Sequence, residues 1–270
     1  SLTLSHLSSH KGNSSYSQIR LWGSIGFICA ASSLGLIIDL SNIKAVIWAI
    51  LIIQICIFLT ANYIPEKKIP EIDSKKRSIF KVLLNPQVIC ILVGCALMVS
   101  AHGLLYNFYS IFLKENNYSN LMIGFLWSVG VICEIFIFLL MPKILKKLSV
   151  KTIILISLAL GVLRFFLIGT FIDNLTIIIF AQILHAATFG SFHVSSIHIV
   201  EYFFNKDHHA RGQSLYNSIT YGVGGAVGGI GGGYMIEKVG ANLAFSLSAV
   251  LPLMAFIIVF YGLKKIPNFN

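Results

Sequence analysis

The tightest constraint on the chain is the segment Leu121–Met141, LMIGFLWSVGVICEIFIFLLM, whose single charge is Glu134. About 20 helical residues cross a hydrocarbon core roughly 30 Å thick, so a run this long and apolar reads as a membrane-spanning helix. A carboxylate in such a run costs on the order of 2.5–3.5 kcal/mol on insertion scales. One reading is a carboxylate hydrogen-bonded into a helix bundle for stability. The favoured reading is a proton or substrate site, because ionisable groups inside membrane helices mark pathways and relays.

The rest of the chain fits that solvent. Of its 270 residues, 56% are hydrophobic and 11% charged, where a soluble domain carries about 25% charged residues. The fold class expected is all-α and polytopic, with eight apolar spans. Span 1 covers Ile19–Leu40 and span 2 Ile43–Tyr63, stopped by Pro65. A polar connection follows over 64–84. Span 3 opens at Asn85-Pro86, a cap followed by a proline at the first helical position, and reaches Leu113. Span 4 is the opening segment, closed by Pro142. Span 5 runs Thr152–Ile172, span 6 Leu175–Phe204, span 7 Ser214–Ile236 and span 8 Ala241–Leu263. The first residue is Ser1 and the Ser-rich start has no leader pattern, so a fragment is expected. Cys29, Cys56, Cys90, Cys95 and Cys133 lie in spans without ligand spacing and read as small buried hydrophobes.

The net charge of +10 is a topology signal. Of the 20 basic residues, 16 fall before span 1, in 64–84, after spans 4 and 6, and at the end of the chain. The opposite side has Lys44, Lys114 and Lys238. The positive-inside rule then places both termini and the 64–84 loop in the cytoplasm. No clustered base-reading or stacking residues accompany the charge, so no nucleic-acid partner is expected; the lipid bilayer is. Asp207, His208 and His209 form a solvated loop cluster without zinc spacing.

Inside the spans the polar set is small. Glu134 is the one deep acid and Arg164 the one deep base, joined by His102, Gln182, His185 and His193. At 1.5 Å per residue, Arg164, His102 and His185 share one depth, with Glu134 a turn or two nearer the cytoplasm, which argues against a simple Glu134–Arg164 bridge. Gln182, Phe189, His193 and Ser196 fall on one helical face, read as lining a cavity. Span 7 is glycine-rich from Gly222 to Gly233 without a phosphate-loop ending. Its small-xxx-small faces suit close helix packing.

Several of these segments resemble the phenylpropionate:proton symporter branch of the major facilitator superfamily. They are Arg20–Phe27 (RLWGSIGF), Gly124–Gly130 (GFLWSVG) through Glu134, Arg164, and Gln182–His185 (QILH). The resemblance implies spans five to twelve of a twelve-span fold, with the first four expected to be missing. Residues 1–63 would then be the last two helices of the N-terminal half, 64–84 the cytoplasmic inter-half loop, and 85–270 the six-helix C-terminal half. The segment Met141–Lys147 lacks the Gly and Asp of the superfamily's loop signature.

The function expected is secondary active transport across the inner membrane by alternating access, as a monomer. The cargo expected is a small organic acid, such as an aromatic acid of the phenylpropionate kind, or a related metabolite, moving with protons. Glu134 and His185 are expected to couple the proton. Arg164, His102, Gln182, Tyr106, Trp127 and His193 are expected to bind substrate. The rival reading is a truncated, non-transporting remnant or scaffold. No HExxH, GxSxG or Ser/His/Asp spacing supports an enzyme, and no cofactor is expected.

Overall fold

The computed structural model describes residues 22–30, 33, 44–63, 82–204 and 209–264. Every span except the first is traced as a helix over most of its length. Residues 22–30 (α1) are helical, and α2 is Ala45–Tyr63. Four uninterrupted or near-uninterrupted helices follow: α3 (Pro86–Glu115), α4 (Asn120–Ile144), α5 (Val150–Thr170) and α6 (Leu175–Phe203). The last two are α7 (His209–Val239) and α8 (Ala241–Gly262). Six of these, α2 to α6 and α8, are long and apolar enough to cross a membrane. Helix α7 falls short because glycine contributes length without hydropathy. The 64–81 part of the polar connection, and the Asp207-His208-His209 side chains, lie outside the described residues.

Local chemistry sets the helix ends. The Asn85 side chain accepts from the Gln87 amide at 3.0 Å, with Pro86 at the first helical position. Ser119, Ser149 and Asn174 cap α4, α5 and α6 through the amides of Met122, Thr152 and Ile177. Pro142 does not close α4 as expected: the helix runs on to Ile144. A proline so near the end removes a single ladder bond, and the last turn survives it. The α7–α8 link turns on Gly240 at φ +83°, a conformation that disfavours side chains.

Helices α3, α5 and α8 pack around each other, with α6 and α7 completing the bundle. Two apolar cores result. One joins Val88, Ile91, Cys95 and Met98 of α3 to Ile154 and Leu158 of α5, Phe192 of α6, Tyr216 of α7 and Val259 of α8. The other joins Leu105, Tyr109 and Phe112 of α3 to Leu126 of α4, Phe165 and Ile168 of α5, and Phe245 of α8. Between these two sets of residues fall the buried polar side chains Ser100, His102, Arg164, Gln182, His185, Thr188 and Ser191. A polar belt thus separates two dry layers.

The glycines of α7 set the α3–α7 spacing. A Cβ on Gly228 would collide with the Ser100 carbonyl, and one on Gly224 would come 2.7 Å from the Ala96 carbonyl oxygen. The cysteines do not all behave as buried hydrophobes. Cys95 is buried, Cys90 and Cys133 are half-buried, and Cys29 and Cys56 are exposed. On a bundle surrounded by lipid, an apolar residue has no reason to avoid the outer surface. Helix α2 likewise buries none of its apolar length among the described residues.

Candidate functional site

Arg164 is the centre of the polar belt, with no exposed surface. Its Nε donates to the Ala181 carbonyl at 3.0 Å. Its Nη1 reaches Thr188 Oγ1 at 3.1 Å and His102 Nε2 at 3.2 Å, and Nη2 reaches Gln182 Oε1 at 3.3 Å. The guanidinium therefore ties α5 to α3 and α6. These partners fix the tautomer of His102. Its Nδ1 lies 3.0 Å from the Met98 carbonyl, which only accepts, so Nδ1 carries the hydrogen. Its Nε2 faces a guanidinium, which only donates, so Nε2 is the bare nitrogen. His102 is a neutral acceptor held by its own helix.

Glu134 belongs to a second group that abuts the first. His185 Nε2 lies 3.6 Å from Glu134 Oε2, and Ser24 Oγ of α1 donates to Glu134 Oε1 at 3.2 Å. Both residues are buried, and the ring of His185 sits 6.1 Å from that of His102. The approach of α6 to α4 depends on glycine. A Cβ on Gly130 would stand 3.2 Å from Gln182 Oε1 and 3.4 Å from His185 Cδ2, and one on Gly190 would meet Ile137.

A cavity of about 240 Å³ opens beside this pair, lined by Gly23, Ser24 and Phe27 of α1, Tyr106, Trp127, Val131, Glu134, His185 and Phe189. Tyr106 and Trp127 stack with centroids 6.1 Å apart, and Trp127 Nε1 donates to Ser110 at 2.9 Å. The cavity therefore has an aromatic wall and a carboxyl–imidazole wall.

The eight residues singled out from the sequence divide into three groups. Glu134, His185, Tyr106 and Trp127 line the cavity. Arg164, His102 and Gln182 form a layer behind it, with His102 and Gln182 both bonded to Arg164. His193 stands apart, with Nδ1 2.9 Å from the Tyr221 hydroxyl of α7. The expected single face of Gln182, Phe189, His193 and Ser196 is also divided. Gln182 turns to Arg164, and Ser196 meets Cys95 of α3 at 3.4 Å. The reason is a π-helical turn at Ala186–Ser191, which breaks the 3.6-residue frame between them. Sequence reasoning missed Ser24, Thr188 and the Ala181 carbonyl. A hydroxyl in an apolar run and a backbone oxygen carry little signal of their own.

Comparison with known proteins agrees with this architecture. The model of the MFS_1 like family matches residues 1–247. The probable 3-phenylpropionic acid transporter of Escherichia coli (strain K12) is 26% identical over 258 residues, 94% of this chain and 66% of that protein. The uncharacterized transporter YwbF of Bacillus subtilis (strain 168) is 25% identical over 259 residues, covering 95% of this chain and 64% of its own length. The chain thus spans a little under two thirds of the curated relatives it matches here. The crystal structure of the nucleoside transporter NupG (D323A mutant) superposes with a TM-score of 0.73 at 23% identity, covering 91% of this chain and 67% of that one. That likeness establishes the fold. The multi-pass helical chain with a polar belt between two apolar cores belongs to the MFS_1 like family, within the major facilitator superfamily.

Proposed function

We propose that the chain carries the proton- and substrate-handling half of a secondary transporter that moves a small organic acid together with a proton. The observation that supports this most is the Glu134–His185 pair, which opens into the 240 Å³ cavity and is backed by the fully buried Arg164. In this reading residues 1–63 end the N-terminal half, 64–84 connect the halves in the cytoplasm, and 85–270 form the C-terminal half. The protein acts as a monomer in the inner membrane with both termini inside.

The coupling follows from charge. Two anions 4 Å apart repel by about 4 kcal/mol at an effective dielectric constant of 20, a factor near a thousand in affinity. An organic anion in the cavity and an ionised Glu134 therefore exclude each other. A proton on Glu134 removes the conflict and leaves Arg164, through His102 and Gln182, as the net positive element facing the anion. Tyr106, Trp127 and Phe27 suit an aromatic or apolar tail. Loaded and empty carriers are then close to equal in charge, and cargo and proton travel together. Ser24 adds a mechanical element. Its bond to Glu134 joins α1 to α4, across the proposed boundary between halves, and protonation of the carboxyl changes the strength of that bond.

The relative named for 3-phenylpropionic acid makes that acid the first probe. In proteoliposomes containing the full-length protein, an inward proton gradient should drive accumulation of labelled 3-phenylpropionate. Glu134→Gln should abolish the accumulation and spare counterflow of labelled for unlabelled substrate. Gradient-driven accumulation that survives in Glu134→Gln would refute the proton role.

A further inference from the structure

The rings of His185, Phe189 and His193 form a column along α6. Their centroids are 5.2 and 6.2 Å apart, and successive planes are inclined by 14° and 9°. The column runs across the π-helical turn Ala186–Ser191, where i→i+5 bonding shifts the phase of the helix. The column separates two polar groups. On one side His185 faces Glu134 in the cavity, and Phe189 is part of the cavity wall. On the other side His193 is outside the cavity lining, 9% exposed, and bonded to Tyr221 at 2.9 Å.

The group around His193 has features of its own. Tyr221 lies in a second π-helical turn, Ser218–Gly224 of α7. The ring of Tyr216 stands edge-on to Tyr221 at 6.0 Å. The hydroxyls of Ser195 of α6 and Thr220 of α7 are buried without a hydrogen-bond partner among the described residues. Buried hydroxyls in a native protein are normally paired, so two such groups, one on α6 and one on α7, are unusual for a purely structural contact. The titratable groups near His193 are Tyr221 and Tyr216 of α7, Cys95 of α3 through its contact with Ser196, and His185 on its own helix.

We propose that His193 and Tyr221 form an inner proton station, and that the Phe189 ring between His185 and His193 is the gate separating it from the Glu134–His185 pair. The inference rests on the proton-coupled reading above. When Phe189 turns aside, water enters between the two imidazoles. A proton leaves the Glu134–His185 pair and binds the imidazole of His193, so the pair loses one positive charge and His193 gains one. Only N–H and O–H bonds change. Tyr221 then accepts from His193 Nδ1–H, and the proton passes to water on the side where α6 ends, which the charge distribution makes cytoplasmic. A substrate with many atoms stays in the cavity, because one ring closes the way. With the ring in place no continuous path joins the two polar groups, as a symporter requires to avoid leaking protons.

The test uses the full-length protein in proteoliposomes with a trapped pH dye and an imposed proton gradient, without substrate. Phe189→Ala should dissipate the gradient faster by roughly tenfold or more, since a proton-transfer step is freed, while Phe189→Leu should stay tight. Adding His193→Asn to Phe189→Ala should suppress the leak. Singly, His193→Asn and Tyr221→Phe should keep counterflow of 3-phenylpropionate but lose the dependence of efflux on interior pH. The thermal unfolding midpoint in detergent serves as the check on folding. A tight Phe189→Ala variant with a parental midpoint would overturn the gate. An undiminished leak in the double variant, or unchanged interior-pH dependence in both single variants, would overturn the station. These outcomes are separate from failure of the underlying reading, which shows as proton-driven accumulation that survives in Glu134→Gln.

Discussion

Arg164 can be weighed by its hydrogen bonds. A guanidinium in an apolar bundle is tolerated only when its donors are met, and here all three nitrogens have acceptors on α3 and α6. A lysine carries a point charge on a flexible stem and cannot reach a carbonyl, a hydroxyl, an amide oxygen and an imidazole together. Arg164→Lys should therefore lower stability by about 3 kcal/mol, read as the thermal unfolding midpoint in detergent. His102→Ala should cost less, and the double variant should cost less than the sum because the two share a bond. If Arg164→Lys unfolds like the parent but no longer binds 3-phenylpropionate, the guanidinium touches cargo directly and its bracing role is secondary. At this scale the sequence was informative for a simple reason. A charge or imidazole in an apolar run stands out, so Glu134, Arg164, His102 and His185 were all visible. Their division into a cavity wall and a layer behind it was not, since it depends on rotation about helix axes that periodicity alone does not give.

Among the helices, the consequential event is the pair of π-helical turns in α6 and α7. Neither leaves a mark in a pattern of apolar residues, because a π-turn shifts the phase of the helix without changing what it is made of. The expected face of Gln182, Phe189, His193 and Ser196 failed at the first of them. The glycines of α7 were legible as a packing surface, and the structure now ranks them. On Gly228 a Cβ would collide with backbone of α3, whereas on Gly222, Gly225 and Gly231 it would meet nothing within 4 Å. Gly228→Ala should force the helices apart and destabilise the bundle by about 1–3 kcal/mol, an overpacking penalty. Gly231→Ala should be neutral or stabilising by up to roughly 1 kcal/mol, the helix propensity gained over glycine. Thermal unfolding of both variants in one detergent checks the order. Equal effects would mean that α7 does not pack on α3 as described.

Over the whole molecule, two independent regularities have to agree. The belt of polar side chains marks the middle of the bundle, and the basic residues mark one of its ends. The exposed Lys146 lies between α4 and α5, at the end where α3 begins and α8 finishes. Exposed Lys114 and Lys238 lie at the opposite end, where α3 and α7 finish. Both apolar cores lie between these ends, so the molecule is sided by charge while its packing is nearly alike on the two sides. Only the charge then decides which end enters the cytoplasm, and at the level of whole loops that decision belongs to Lys and Arg rather than to net charge. In the full-length protein, with every native cysteine replaced by serine, Lys114→Cys and Lys238→Cys should react with a membrane-impermeant maleimide in intact cells. Lys146→Cys should react only after permeabilisation. Labelling of Lys146→Cys from outside would invert the topology. The His193 side of the bundle would then face the exterior, and the direction proposed for proton release would reverse with it.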